Sequence, residues 1–127
     1  MNTSDQEAIR KLINDWATAV RNKNLDGIVA HHSPDMLMFD VPPPLQSKGI
    51  EAYKATWNLF YSGTVDRVVF EILDLDITAG TEVAFATAIM RCIDCQEGEL
   101  TFRLTIGLRK LSGQWLITHE HHSVPAA

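Results

Sequence analysis

Near the N-terminus, apolar residues recur at helical spacing. Ala8, Ile9, Leu12, Ile13, Trp16, Ala17 and Val20 share one face, and Arg10, Lys11, Asp15 and Arg21 fall on the other. This period predicts an amphipathic helix over about 4–22. Ser4 with Glu7 three residues on matches a capping box at its start, and Lys23-Asn24 breaks it. A short second helix is expected from Leu25 to about His32, stopped by Ser33-Pro34 because the residue before proline is pushed out of helical geometry. Residues 36–40 read as a short strand. The segment 41–48 holds three successive prolines, which lack donors and fix φ, so it is expected to be a stiff extended loop. A third helix is predicted over about 50–62, with Tyr53, Trp57, Phe60 and Tyr61 on its apolar side and Gly63 ending it. After it the period changes from helical to two. Strands are expected over about 65–78, 82–93, 99–110 and 115–125, joined by turns at Ala79-Gly80, Gly98 and Ser112-Gly113. Helices followed by consecutive strands predict an α+β fold: a curved antiparallel sheet with three N-terminal helices on its concave face, making a cone with a cavity.

Composition narrows the class. At 127 residues with 46% hydrophobic content, the chain suits a single domain spanning 1–127. The net charge of -5 at pH 7 and the lack of any Lys/Arg cluster exclude nucleic acid as a partner. No apolar run approaches the roughly 20 residues of a membrane span. The polar start Met1-Asn-Thr-Ser-Asp-Gln-Glu lacks a basic-then-apolar leader, which gives a cytoplasmic expectation. Cys92 and Cys95 form a Cys-x-x-Cys pair, but on a strand running into a hairpin and without two further ligands. They read as plain thiols rather than a redox or zinc site.

The chemistry concentrates at strand ends. On strict alternation, Trp115, Ile117, His119, His121 and Ser123 share the face of the last strand that begins apolar, so two imidazoles and a hydroxyl are expected to form a polar wall of the cavity. Leu116, Thr118, Glu120, His122 and Val124 take the other face, and His31, His32 and His122 read as surface or helix-end residues. Asp40 ends a strand on the face of Met36 and Met38. A carboxylate at the rim of an apolar cavity suits a general base, although a strand-end Asp bonded to loop amides fits the same pattern. Arg91 and Arg103 would favour a carboxylate or an oxyanion if they point inward. Pointing outward they would be ion-paired surface residues. Trp57 and Tyr61, one turn apart, could supply a cavity wall and a hydroxyl donor, with core packing as the plainer reading. His119 and His121 could relay protons or orient a ligand, and no metal site is expected. The apolar row on 100–108 suits either the core or the outer sheet face, and the outer face, where it would make a homodimer, is the preferred reading.

The chain resembles the SnoaL-like, ketosteroid-isomerase-like proteins of the nuclear-transport-factor-2-like superfamily over nearly its whole length. Leu25-Asp-Gly-Ile-Val-Ala30 followed by Phe39-Asp-Val-Pro42 is similar to the part of ketosteroid isomerase whose aspartate is the general base. Gly113-Gln-Trp-Leu-Ile-Thr-His-Glu-His-His-Ser-Val-Pro125 resembles the ending of a SnoaL-like subgroup, and its His-x-His-x-Ser strand resembles the association domain of calcium/calmodulin-dependent kinase II. The resemblance implies the cone fold and places Asp40 at the base position. The isomerase's two polarising donors are not matched. Trp16 stands at the tyrosine position, and Thr105 or Ile106 at the aspartate position, so steroid isomerisation itself is not implied. Two readings follow. One is a cofactor-independent enzyme for isomerisation, cyclisation or dehydration of a small carbonyl or carboxylate compound. Asp40, His119, His121 and Arg103 would be catalytic, and Arg91, Trp16, Trp57, Tyr61, Ser123 and Met38 would bind ligand. The other is a non-catalytic ligand-binding or assembly module on the same fold.

Overall fold

The computed structural model describes residues 3–62, 68–94 and 98–126, and Gly63, Val65 and Cys95 lie outside them. Three helices, α1 (Thr3–Arg21), α2 (Leu25–Val29) and α3 (Ile50–Ser62), accompany six strands. The strands are β1 (His32–Phe39), β2 (Ser47–Lys48), β3 (Val69–Ala79), β4 (Val83–Asp94), β5 (Gly98–Leu111) and β6 (Gln114–Ser123). They form one sheet in the order β2-β1-β6-β5-β4-β3. All neighbours are antiparallel except β1 and β6, which run parallel because α3 and the three later strands separate them in sequence. The expected α+β cone is the fold found.

α1 forms where its pattern predicts, with Ile9, Leu12, Ile13, Trp16, Ala17 and Val20 buried against the sheet. It starts at Thr3, so Ser4 lies inside its first turn. The anchor of that turn is Asp5, whose Oδ1 accepts from Trp115 Nε1 at 3.0 Å and from Lys110 Nζ at 3.1 Å. At the other end Arg21 Nη1 donates to the carbonyl of Phe70 at 2.7 Å. α1 is thus pinned to the central strands β5 and β6 at its start and to the edge strand β3 at its end. α2 is shorter than expected: Asn24 caps it by accepting from the Gly27 amide, and the chain is already strand at His32. Pro34, expected to stop a helix, sits within β1 where the pairing with β6 shifts register, which spares the ladder the missing donor. The proline segment is a run of bends over 41–45 rather than the extended loop expected, and Ser47–Lys48 then pairs with β1.

Register shifts in β1, in β3 and between β5 and β6 bend the sheet, since an extra residue on one strand sharpens local twist. Asp74, in the β3 irregularity, has φ 50. The concave side is filled by rings. Trp16 meets Trp57 and Phe70 edge-on, and Phe70 packs beside Phe102.

The expected face of β5 is reversed. Phe102, Leu104, Ile106 and Leu108 are buried in the chain's own core, while Thr101, Arg103, Thr105 and Arg109 are exposed on the convex face. The chain's own core takes the row expected at a dimer contact, because an apolar stripe is most stable against the nearest apolar surface. Among the described residues no helix is long and apolar enough to cross a membrane.

Candidate functional site

The last strand changes phase halfway. Trp115 and Ile117 point into the core. Leu108 pairs with Ile117 but Gly107 pairs with His119, so Thr118 is an extra residue on β6. From that bulge on the inward positions are Glu120 and His122, and His119 and His121 face outward. The strict alternation expected from the sequence fails here because one unpaired residue inverts every later side chain.

Glu120 is fully buried and is the centre of a polar cluster. Its Oε2 accepts from His32 Nε2 at 2.5 Å and from the Tyr53 hydroxyl at 2.6 Å. Its Oε1 accepts from His122 Nε2 at 2.8 Å. Tyr53 in turn accepts from Trp16 Nε1 at 2.9 Å. Three elements supply donors to one carboxylate, His32 from β1, Tyr53 from α3 and His122 from β6, and Trp16 from α1 stands behind Tyr53. Burial pushes the Glu120 carboxyl up, but the hydrogen bonds from His122 and His32, with their charge, outweigh it and hold it down at about 2. An ionised carboxylate only accepts, so both imidazoles carry hydrogen on Nε2. Burial, followed by the charge of Glu120, raises Tyr53 well above its ordinary value, which keeps it a donor.

With both Nε2 atoms committed, the Nδ1 atoms are the free ends. His32 Nδ1 is buried without a hydrogen-bond partner among the described residues. His32 also lines a space of about 10 Å³ between α1, α2 and β6. His122 Nδ1 lies 4.0 Å from Asp40 Oδ1. The His122 ring stacks on Phe102 at 5.3 Å and meets Trp16 edge-on at 6.4 Å. Asp40 follows the last residue of β1, half-buried, and its Oδ1 also accepts from the Val41 amide at 2.8 Å. It also lines an open cleft of about 370 Å³ with Val41, Pro42, Pro43, Pro44 and Leu45. Asp40 therefore joins that cleft to the buried cluster.

The other expected site residues are dispersed. His119 Nδ1 donates to the Leu37 carbonyl at 2.8 Å, and both His119 and His121 pack on Phe39 on the convex face. Arg103 Nε donates to Ser123 Oγ at 3.1 Å on that same face. Arg91 is ion-paired with Glu71 and Glu99. Neither arginine points inward, which is the outward alternative already open from the sequence. Met38 is buried in the core, and Tyr61 donates to the Val20 carbonyl at 2.6 Å. Trp57 is buried, with its Nε1 unpartnered among the described residues. Of the expected set, Asp40 and Trp16 belong to the cluster. His32, Tyr53, Glu120 and His122 were not singled out. The available signal was Gly107: a glycine inside a strand marks a bulge or a close approach, and a Cβ there would lie 3.4 Å from His119 Cβ. Among the described residues no group of three or more His, Cys, Asp and Glu could hold a metal ion.

Comparison with known proteins places this geometry. A family model described as a SnoaL-like domain matches residues 9–127. An NTF2-like protein of unknown function from Pseudomonas putida KT2440 is 35% identical over 100% of this chain and 91% of its own, with a TM-score of 0.93. A protein from Novosphingobium aromaticivorans, provisionally named a scytalone dehydratase, shares 15% identity over 98% of this chain and 87% of its own (TM-score 0.85). A protein from Streptomyces avermitilis, provisionally named a dehydratase of the NTF2-like family, shares 13% over 98% and 99% (TM-score 0.83). The last two show the fold alone. No curated protein matches the chain. With its family match over nearly the full length, its α+β cone and its 35% identical structural relative, the chain belongs to the SnoaL-like family of NTF2-like proteins.

Proposed function

We propose that the protein binds a small organic molecule at the Asp40 cleft and catalyses proton transfer next to a carbonyl, with dehydration of a β-hydroxy carbonyl compound as the leading case. The observation that carries this is the placement of His122 between two carboxylates, the buried Glu120 at 2.8 Å and the cleft-lining Asp40 at 4.0 Å. Asp40 is the base: the C–H bond next to the carbonyl breaks, its proton goes to the carboxylate, and its electrons form the new double bond. The C–O bond at the β carbon breaks, and the leaving hydroxide takes a proton from Nδ1 of the His122 imidazolium and departs as water. The proton on Asp40 then returns to His122, which restores the starting state. Glu120 touches no substrate. It is a positioning residue that fixes the ring and stabilises its positive charge, as a carboxylate behind an imidazole does elsewhere. Two structural neighbours bear provisional dehydratase names, which agrees with this reaction class.

This reading keeps Asp40 from the sequence-based set and moves the imidazole role from His119 and His121 to His122. The test is a panel of β-hydroxy ketones in D2O, followed by NMR for loss of water and deuterium gain at the α carbon. Asp40→Asn and His122→Gln should each lower the rate by about a hundredfold or more, while His119→Gln and His121→Gln leave it unchanged. Turnover that survives in Asp40→Asn, or follows His121, would refute the assignment. A non-catalytic binding module is the second reading. It is favoured by the rings of Trp16, Trp57, Phe70 and Phe102 filling the concave side, and it predicts saturable binding with no turnover on any member of the panel.

A further inference from the structure

The charges around the cleft restrict what can enter it. Of its six lining residues Asp40 is the charged one, and the rest are valine, leucine and three prolines. The next charged groups inward are the His122 imidazolium and Glu120, which is held ionised, so the site keeps a net negative charge. Arg91 is occupied by Glu71 and Glu99, and Arg103 bonds Ser123 on the convex face. A ligand carboxylate at this cleft would lie directly against Asp40 in a site of net negative charge, with no guanidinium among the described residues to offset it. Like charges brought together in a partly desolvated site oppose binding.

The gap between His122 Nδ1 and Asp40 Oδ1 has a definite size. At 4.0 Å the two atoms are too far apart to bond each other. A single oxygen placed between them can sit roughly 2.8 Å from both, with an angle of about 90° at that oxygen. A hydroxyl suits this slot because it can donate to the carboxylate and accept from a ring N–H at the same time. Around it, Val41 and Leu45 offer exposed apolar surface, 48% and 94% exposed respectively. The cleft volume is at the lower end of small-molecule sites, so one ring system fills it.

We infer that the cleft is a binding site for an uncharged, hydroxyl-bearing ring compound whose hydroxyl bridges Asp40 and His122, and that it excludes carboxylates of the same shape. This rests on the reading of Asp40 and His122 as facing a ligand, and it narrows the carbonyl-or-carboxylate class expected from the sequence to its neutral members. The probes are three molecules of one shape: 4-tert-butylphenol, the 4-tert-butylbenzoate anion and tert-butylbenzene. Binding to the full chain is followed by ligand-observed NMR, with circular dichroism as a check on each variant. The phenol should bind at least tenfold more tightly than either other probe. Asp40→Asn should weaken the phenol and strengthen the benzoate, and Arg103→Gln should change neither. Equal or tighter binding of the benzoate overturns the inference, as does equal binding of all three or no binding of the phenol at millimolar concentration. Loss of benzoate binding in Arg103→Gln would move the site to the convex face. Selective phenol binding without turnover on any β-hydroxy ketone refutes the catalytic reading and leaves this one standing, and turnover of an anionic substrate does the reverse.

Discussion

Glu120 is a full negative charge with no solvent contact, and it is tolerable only because three donors saturate its two oxygens. Its folded-state pKa of about 2 lies below the ordinary value of 4.5. Folding therefore gains stability from this group above about pH 4.5, and the gain is lost as pH falls through the folded value. A shift of this size corresponds to something on the order of 3 kcal/mol. Glu120→Gln should thus destabilise the protein by several kcal/mol near neutrality, and the difference from the natural chain should narrow steadily below pH 4.5. Urea unfolding of both proteins at a series of pH values measures this, and a gap that widens in acid would contradict the ionised assignment. His32 and His122 escaped notice in the sequence for a simple reason. A histidine is read as exposed by default, and neither had a visible partner until Glu120 was placed between them.

At the scale of elements, the β5–β6 pair decides which histidines count. Thr118 as the extra residue turns Glu120 and His122 inward and sends His119 and His121 out. The same pair receives α1 through Asp5. Asp5→Ala would strip partners from Lys110 Nζ and Trp115 Nε1 at once. A loss of about 1–3 kcal/mol is expected for leaving the largely buried indole donor unpaired, with faster amide exchange confined to the first turns of α1. Unfolding together with hydrogen exchange checks this, and uniform acceleration across the chain would show that the contact is not local. Much of the element pattern was legible in advance. α1 and α3 appear within a residue or two of their predicted ends, because their apolar spacing and terminal residues act locally. α2 and β1 were displaced because the parallel pairing of β1 with β6, far off in sequence, recruits His32 and Ser33 into strand.

For the molecule as a whole, the convex face of the sheet is left with exposed apolar side chains. Leu73, Val83 and Phe85 are 40%, 62% and 50% exposed. Phe85 is paired to Gly107, where no side chain covers it. A homodimer remains the proposal for this face, although the row at 102–108 that first suggested it is spent on the core. Phe85→Glu should convert a dimer into a monomer without altering the circular dichroism spectrum. Sedimentation velocity of the two proteins decides it, and an unchanged mass refutes this use of the face.

The sequence by itself determined the fold class, the helical face of α1, the order of the elements apart from β2, and Asp40 as the acidic residue at the strand end. All of these follow from periodicity, turn chemistry and a resemblance carried by contiguous residues. The tertiary structure alone decided which face each side chain of β5 and β6 presents, and therefore which imidazoles meet a carboxylate. The cause is physical: a side-chain period of two means that one bulge, set by pairing with a neighbouring strand, inverts everything after it. The buried cluster of Trp16, His32, Tyr53, Glu120 and His122 draws on residues as far as 106 positions apart, from Trp16 to His122, so no local pattern could have announced it.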